Sequence, residues 1–184
     1  MTNNENQPIM KNKQLLIALL AFLPELSACV GNSQIPKPPI EFPFAVEKAG
    51  SKIETELRIT EKNIYSFDLR FMYKEDDQTD RARVRKLTGD DGTDKTGKLI
   101  DPGAFILLNL KIYRLEAQRE SLVIVKESSE QPLYSWGGDS FNKTILDIPL
   151  DIGHYRIRIE NLKDAPELVG TKINFQIARA YLGK

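Results

Sequence analysis

Cysteine, histidine and tryptophan each occur only once in the 184 residues of this chain. A single cysteine excludes a disulfide within the chain and a zinc site built from several cysteines. A single histidine excludes metal sites that use two or three histidine ligands. Net charge is also lacking, because 26 Lys and Arg residues balance 26 Asp and Glu residues. Proteins that bind nucleic acid normally carry a basic excess to contact phosphates, so we expect no nucleic-acid partner.

Hydrophobic runs are short, and the run at 15–23 has nine residues. A helix that spans a bilayer needs roughly 20 apolar residues, so this run is too short to cross a membrane. Lys11 and Lys13 precede it and small residues follow it, which is typical of a secretory signal peptide. The polar residues before Met10 do not fit the start of a signal, and we therefore expect Met10 to be the true start.

The end of this segment, Leu26-Ser27-Ala28-Cys29, resembles the lipobox of bacterial lipoproteins. The resemblance implies cleavage between Ala28 and Cys29, lipidation of the Cys29 thiol and a signal peptide over 1–28. Two or more lipid chains hold a protein stably at a membrane, so no basic patch is required. Val30 follows the cysteine, where inner-membrane lipoproteins of this family carry Asp. The resemblance thus implies a lipid anchor in the outer membrane of a Gram-negative bacterium, with the protein facing the periplasm.

Proline is concentrated after the lipobox, and residues 29–41 are expected to form a tether. Pro36, Pro38 and Pro39 favour extended polyproline conformation, with a rise of about 3.1 Å per residue. A dozen such residues reach roughly 35–40 Å, which separates the folded domain from the membrane.

Apolar and polar residues alternate along much of the remaining chain, which indicates strands with one buried face. The expected strands cover 52–59, 64–73, 104–113, 121–126, 144–150, 155–160 and 173–177, with a first strand over 42–46 as an alternative to a longer tether. No long amphipathic helix interrupts them, so residues 42–184 are predicted to form an all-β domain, an antiparallel β-sandwich of about seven to nine strands. The stretch 121–126 is apolar on both faces, which favours a central strand. The predicted core includes Phe67, Leu69, Leu108, Ile124, Ile157 and Phe175.

Four stretches of this domain resemble an uncharacterised bacterial lipoprotein family that is catalogued as a domain of unknown function. They are 44–50, 65–69, 87–89 and 150–159, and together they span most of the mature chain. The resemblance implies no catalytic residue.

Catalytic signals are weak throughout. His154 follows Gly153 in an expected turn and shares a face with Arg156 and Arg158, whose charges disfavour both an imidazolium and a metal ion. Neither a Gly-x-Ser-x-Gly nor a His-Glu-x-x-His motif occurs. The acidic stretch 90–94 does not have the spacing of a calcium loop. We expect no catalytic residue, metal or cofactor, and a hydrolase that uses only carboxylates is a third-ranked alternative.

Two segments are candidates for binding. In the charged loop 74–98, Arg81, Arg83 and Arg85 share one face if the chain is extended, which suits an acidic partner or phosphates. A charge-protected edge strand is the alternative interpretation of this row.

The segment 132–142 is predicted to be a flexible loop around two glycines, with Tyr134, Trp136 and Phe141 as anchors for a protein or platforms for sugar rings. The alternative is that these rings fold back onto the core. The expected function is non-catalytic binding of a periplasmic protein, as in an immunity protein against a secreted toxin or an accessory of an envelope machine. A glycan- or peptidoglycan-binding module is the alternative.

Lipidation makes a direct prediction for Cys29. In Cys29→Ala, the chain should accumulate as an uncleaved precursor, because the modified cysteine defines the cleavage site in proteins with a lipobox. Ser33→Ala, four residues further on, should be processed normally. Intact-mass spectrometry of native membranes checks both, and an unmodified thiol at Cys29 would contradict the prediction.

Overall fold

The computed structural model describes residues 35–181, which form two antiparallel sheets packed face to face. The nine strands are β1 (Ile40–Pro43), β2 (Lys52–Ile59), β3 (Asn63–Met72), β4 (Leu108–Glu116), β5 (Arg119–Ser128), β6 (Leu133–Trp136), β7 (Ser140–Leu150), β8 (Gly153–Asn161) and β9 (Ile173–Arg179). The prediction of an all-β sandwich with seven to nine strands is therefore confirmed. The signal peptide, the lipidation site at Cys29 and the start of the tether lie outside the described residues.

One sheet has five strands in the order β1-β9-β3-β7-β6, and the other has four in the order β2-β8-β4-β5. A helix, α1 (Gln78–Thr88), follows β3, and a short 3-10 turn at Pro166–Leu168 precedes β9. Within 35–181, neither is long and apolar enough to cross a membrane.

Aromatic rings fill the centre of the space between the sheets. Phe67 and Phe175 stack with ring centroids 6.3 Å apart, and Phe44 meets Phe175 edge-on at 6.5 Å. Tyr73 and Phe141 form a further pair, 5.1 Å apart, beyond the end of β3. Each ring of this kind buries on the order of 150–250 Å² and therefore contributes substantially to the core.

Five of the six predicted core residues, all except Ile124, are fully buried. Ile124 is only half-buried because its strand, β5, is the last strand of its sheet. The prediction that 121–126 is a central strand is wrong. Leu122, Val123 and Val125 are exposed there, and a bulge leaves Val123 without a partner on β4.

Ion pairs cover the outer face of the four-stranded sheet. Arg156 lies 2.7 Å from Glu56 and also pairs with Glu120, while Arg158 lies 2.9 Å from Glu54. Exposed pairs of this kind contribute about 0–1 kcal/mol each to the free energy of unfolding. Their main effect is to make this face of the sheet polar.

The segment Gln78–Thr88 is a helix and not the expected loop or extended row. The Asp77 carboxylate accepts a hydrogen bond from the Asp80 N–H at 2.9 Å, which caps the first turn. Val84 and Thr88 are buried on the face turned to the sandwich. Gly89 ends the helix at φ 72° and ψ −154°, a conformation that is essentially restricted to glycine.

The loop that follows α1 closes on itself at two glycines. The Asp90 N–H donates to the Asp101 carbonyl at 2.7 Å, and the Ala104 N–H donates to the Leu87 carbonyl at 2.8 Å. Gly89 and Gly103 pack so closely that a Cβ on Gly103 would lie 2.4 Å from the Leu87 carbonyl oxygen. Both positions require glycine for steric as well as conformational reasons.

Lys143 on β7 ties this loop to the sandwich. Its side chain is buried, and Nζ donates to the Pro102 carbonyl at 2.6 Å. Burial lowers the pKa of Lys143 to about 8, and the Asp101 carboxylate acts in the opposite direction. A charged ammonium is therefore held here at a cost in folding free energy.

The closed loop predicts a large difference between two glycines. Gly103→Ala should lower the free energy of unfolding by about 2–4 kcal/mol, since it adds strain at φ 68° to a collision with backbone atoms. Gly97→Ala is the matched control, because Gly97 has φ 83° but a Cβ added there would meet no atom within 4 Å. It should cost about 1 kcal/mol. Urea denaturation measures both, and equal losses would contradict the steric argument.

Lys143 predicts a pH dependence of stability. Its folded-state pKa of about 8 lies below the ordinary value of 10.5, so the unfolded chain binds more protons between these two values. The free energy of unfolding should therefore rise from pH 8 towards pH 10.5, by about 3 kcal/mol over the whole interval. In Lys143→Met this rise should disappear, while the titration of tyrosines is common to both proteins and cancels. Parallel stability curves for the two proteins between pH 7 and 10 would rule the effect out.

Candidate functional site

A groove of about 360 Å³ lies between α1 and the hairpin formed by β6 and β7. Its walls are formed by Gln78, Arg81, Ala82, Arg85, Trp136 and Phe141. The four helical residues have the spacing i, i+3, i+4 and i+7, which places them on one face of α1. The structure thus brings together two sets of candidate residues that the sequence analysis treated separately.

Buried rings support the two groove arginines. The Arg81 guanidinium lies 5.7 Å from the centroid of the Tyr73 ring, and the Arg85 guanidinium lies 5.7 Å from that of Phe141. A guanidinium over a ring face is attracted by the ring quadrupole and loses rotational freedom. The Tyr73 hydroxyl also donates to the Gly137 carbonyl at 2.8 Å, which ties the hairpin turn to the core.

Arg83 does not belong to the groove. It pairs with Asp80 at 2.8 Å and donates to the Thr171 hydroxyl at 2.8 Å. The prediction that Arg81, Arg83 and Arg85 share one face is wrong, because residues two apart on a helix point in nearly opposite directions. Arg81 and Arg85, four apart, do share a face.

The two groove arginines differ in their acidic neighbours. Arg85 lies 3.2 Å from Asp90, and the pKa of that carboxyl is lowered by a hydrogen bond from the Asp91 N–H and by Arg85. Within 35–181, Arg81 has no carboxylate at ion-pair distance. The six residues that line the groove thus include two cations and no carboxylate, although the chain as a whole is neutral.

The aromatic segment is a paired hairpin and not the expected flexible loop. Trp136 pairs with Phe141 across the hairpin, so both side chains lie on the same face. Trp136 is 63% exposed, whereas Phe141 is buried at the base of the groove. Tyr134 is exposed outside the groove, and its hydroxyl donates to the Tyr181 carbonyl. Folding back onto the core thus occurs for Phe141 alone.

Sequence reasoning missed Gln78, Ala82 and Tyr73. The signal that could have found the first two is the pair Asp77 and Asp80, which is typical of a helix start, followed by the helical spacing of the arginines. His154 lies at the other end of the strands, exposed beside Arg58 and Leu115. In the part of the chain that the structure describes, no group of three His, Cys, Asp or Glu residues is placed to hold a metal ion.

Known structures with a similar fold include a protein of Sulfurospirillum deleyianum. It is 26% identical, with a TM-score of 0.66, and the match covers 77% of this chain and 97% of that one. A family 35 carbohydrate-binding module from an environmental isolate matches at 14% identity and a TM-score of 0.34, over 74% of this chain and 70% of the module.

A cycloisomaltooligosaccharide glucanotransferase of Paenibacillus sp. matches at 14% identity and a TM-score of 0.29, over 72% of this chain and 13% of that enzyme. Both carbohydrate-related matches are too distant to carry an argument. No curated protein matches the chain.

The strands and the helix of the groove lie together within one continuous unit of sequence. A family model described as a domain of unknown function, DUF5625, matches residues 41–179, from β1 to the end of β9, and the chain belongs to that family.

Proposed function

We propose that this domain is the periplasmic part of an outer-membrane lipoprotein and that it binds a protein partner through the groove, without chemistry of its own. The observation that carries the proposal is the exposed ring of Trp136 beside Arg81 and Arg85. Tryptophan and arginine are the residues most enriched at the energetic centres of protein interfaces. Immunity to a secreted toxin and assistance to an envelope machine are the two roles of this kind that the sequence favours.

The rigidity of the groove supports binding. Trp136 belongs to a paired strand, Arg81 and Arg85 are held over rings, and the hairpin turn is tied to Tyr73. A site that is already ordered loses little conformational entropy when a partner binds.

The groove lies at the end of the domain away from the tether. The Pro36 carbonyl accepts a hydrogen bond from the Arg58 N–H, so the chain enters beside the end of β2. The groove begins after Met72, at the opposite end of β3, and ten residues of strand measure about 30 Å. The groove therefore lies away from the residues where the chain enters the domain, and this leaves it open to a protein partner.

The lining of the groove supports a role without catalysis. None of its six residues is a carboxylate, a histidine or a nucleophile, and His154 lies at the other end of the strands. A neutral sugar would stack on Trp136 and accept hydrogen bonds from the arginines but would not neutralise their charges, and this favours the protein over the glycan alternative.

Trp136→Ala should weaken binding of the partner by about 2 kcal/mol, a roughly thirtyfold loss, and leave the melting temperature within about one degree. The melt is insensitive because the ring is 63% exposed. The partner is first identified by a photo-crosslinking residue at position 78, in the groove wall, of the full chain with Trp136 intact in cell envelopes. The same residue at the exposed position Val169 serves as the background.

Tyr134→Ala is the matched control, since Tyr134 is an exposed ring of the same strand outside the groove, and it should leave affinity unchanged. Equal losses for the two variants, or unchanged affinity with Trp136→Ala, would contradict the proposal. Crosslinking from position 78 to peptidoglycan or polysaccharide would establish the glycan alternative in its place.

A further inference from the structure

We infer that the groove selects a carboxylate: the partner inserts an Asp or Glu side chain between Arg81 and Arg85, with a neighbouring apolar side chain against Trp136. This inference rests on the proposed function and adds the chemistry of the segment that binds.

The arginines of α1 provide an internal comparison. Arg83 has both a carboxylate and a hydroxyl partner, at 2.8 Å each, and its charge is used within the domain. Arg81 has no carboxylate partner within 35–181, and the pair of Arg85 with Asp90 is long, at 3.2 Å, and exposed. An incoming carboxylate would thus form an ion pair with Arg81 without breaking an existing one. At Arg85 it would replace Asp90, whose carboxylate is already exposed to solvent.

The positions of the two guanidinium groups fit one carboxylate. Residues four apart on a helix have Cβ atoms about 5–6 Å apart, so both side chains reach the same point above the groove. Each guanidinium lies with its carbon 5.7 Å from a ring centroid. Contact through the ring face leaves the guanidinium edge available for hydrogen bonds, although Arg85 already uses part of its edge to donate to Asp90 at 3.2 Å. The N–H groups of such an edge match the two oxygens of a carboxylate.

The rest of the groove fits an apolar neighbour. Ala82 lies between the two arginines in the groove wall, and its small side chain leaves a hollow. Phe141 forms the base of the groove and Trp136 its outer wall. Gln78 adds one amide, which has both a donor and an acceptor for the backbone of a bound segment. A mixed acidic and apolar peptide uses every part of this lining, whereas an isolated phosphate uses only the arginines.

Trp136 is the only tryptophan of the chain, so its fluorescence reports on the groove without a label. The full-length protein in detergent is titrated with a blocked hexapeptide that alternates Glu and Leu. The two comparison peptides replace Glu with Gln or with Lys. We expect a saturable change in fluorescence with the Glu peptide, at least tenfold weaker binding of the Gln peptide and no binding of the Lys peptide. Binding should weaken as salt is raised, because the ion pairs are exposed.

Variants locate the effect. Arg81→Gln combined with Arg85→Gln should abolish the preference for Glu over Gln, whereas Arg83→Gln, on the other side of the same helix, should retain it. The double Gln variant removes the cation–π contacts with Tyr73 and Phe141 and so also changes the packing of these rings. Arg81→Lys combined with Arg85→Lys is therefore a second test. It preserves the charge, removes the paired N–H edge and should reduce the preference severalfold without abolishing it.

Equal binding of the Glu and Gln peptides would overturn the inference, as would an unchanged preference in the double Gln variant. Saturation by inorganic phosphate or by vesicles that contain phosphatidylglycerol, with no response to the Glu peptide, would also overturn it and would indicate an anion or lipid site. These results are separate from the proposed function: a crosslinked partner that still loses affinity with Trp136→Ala would leave protein binding intact and remove only the carboxylate.

Discussion

A line of buried aromatic rings runs across the five-stranded sheet, and the groove is built on its last two members. Phe44, Phe175 and Phe67 link β1, β9 and β3, and Tyr73 and Phe141 continue the line beyond the end of β3. The last two rings serve two purposes, because their inner surfaces close the core and their outer surfaces support Arg81 and Arg85. The groove is therefore an extension of the core, and its geometry is set by the packing that holds the fold together.

This arrangement separates the roles of neighbouring aromatic residues. Phe141 is buried in the core and also forms the base of the groove, so its loss would damage both the fold and the site. Trp136, directly opposite it on the hairpin, contributes little to the core because most of its surface is in solvent. Of the two rings on this face of the hairpin, Phe141 stabilises the core and Trp136 lies largely outside it.

Local patterns in the sequence were sufficient to predict the bounds of a strand that has one buried and one solvent-exposed face. Strand β2 has the expected bounds, 52–59, because its alternation of apolar residues with Lys and Glu reflects that environment directly. Strand β5 could not be placed in the same way. An apolar stretch indicates that a strand is present. Whether that strand lies at the centre or the edge of a sheet depends on residues far away in the sequence.

Four of the six residues that line the groove could be predicted from the sequence, but their arrangement could not. The run Arg81-Ala82-Arg83-Val84-Arg85 alternates as a strand does, yet it also places residues 81 and 85 on one helical face. The cap at Asp77 and the glycine after Thr88 decide for the helix. Strand β6 was not predicted because it is only four residues long and contains a bulge, which disturbs the alternation of its apolar and polar residues.

The way in which the chain enters the sandwich has a mechanical consequence. Strand β1 runs from the entry end towards the groove and is paired along its whole length with β9. A force applied to the chain at Ile35, directed away from the groove, would act along β1, across all of its hydrogen bonds at once. The strand is loaded in shear, so its bonds must break together and cannot open one after another. This geometry resists a pull on the chain ahead of β1 more strongly than a geometry in which the bonds open singly.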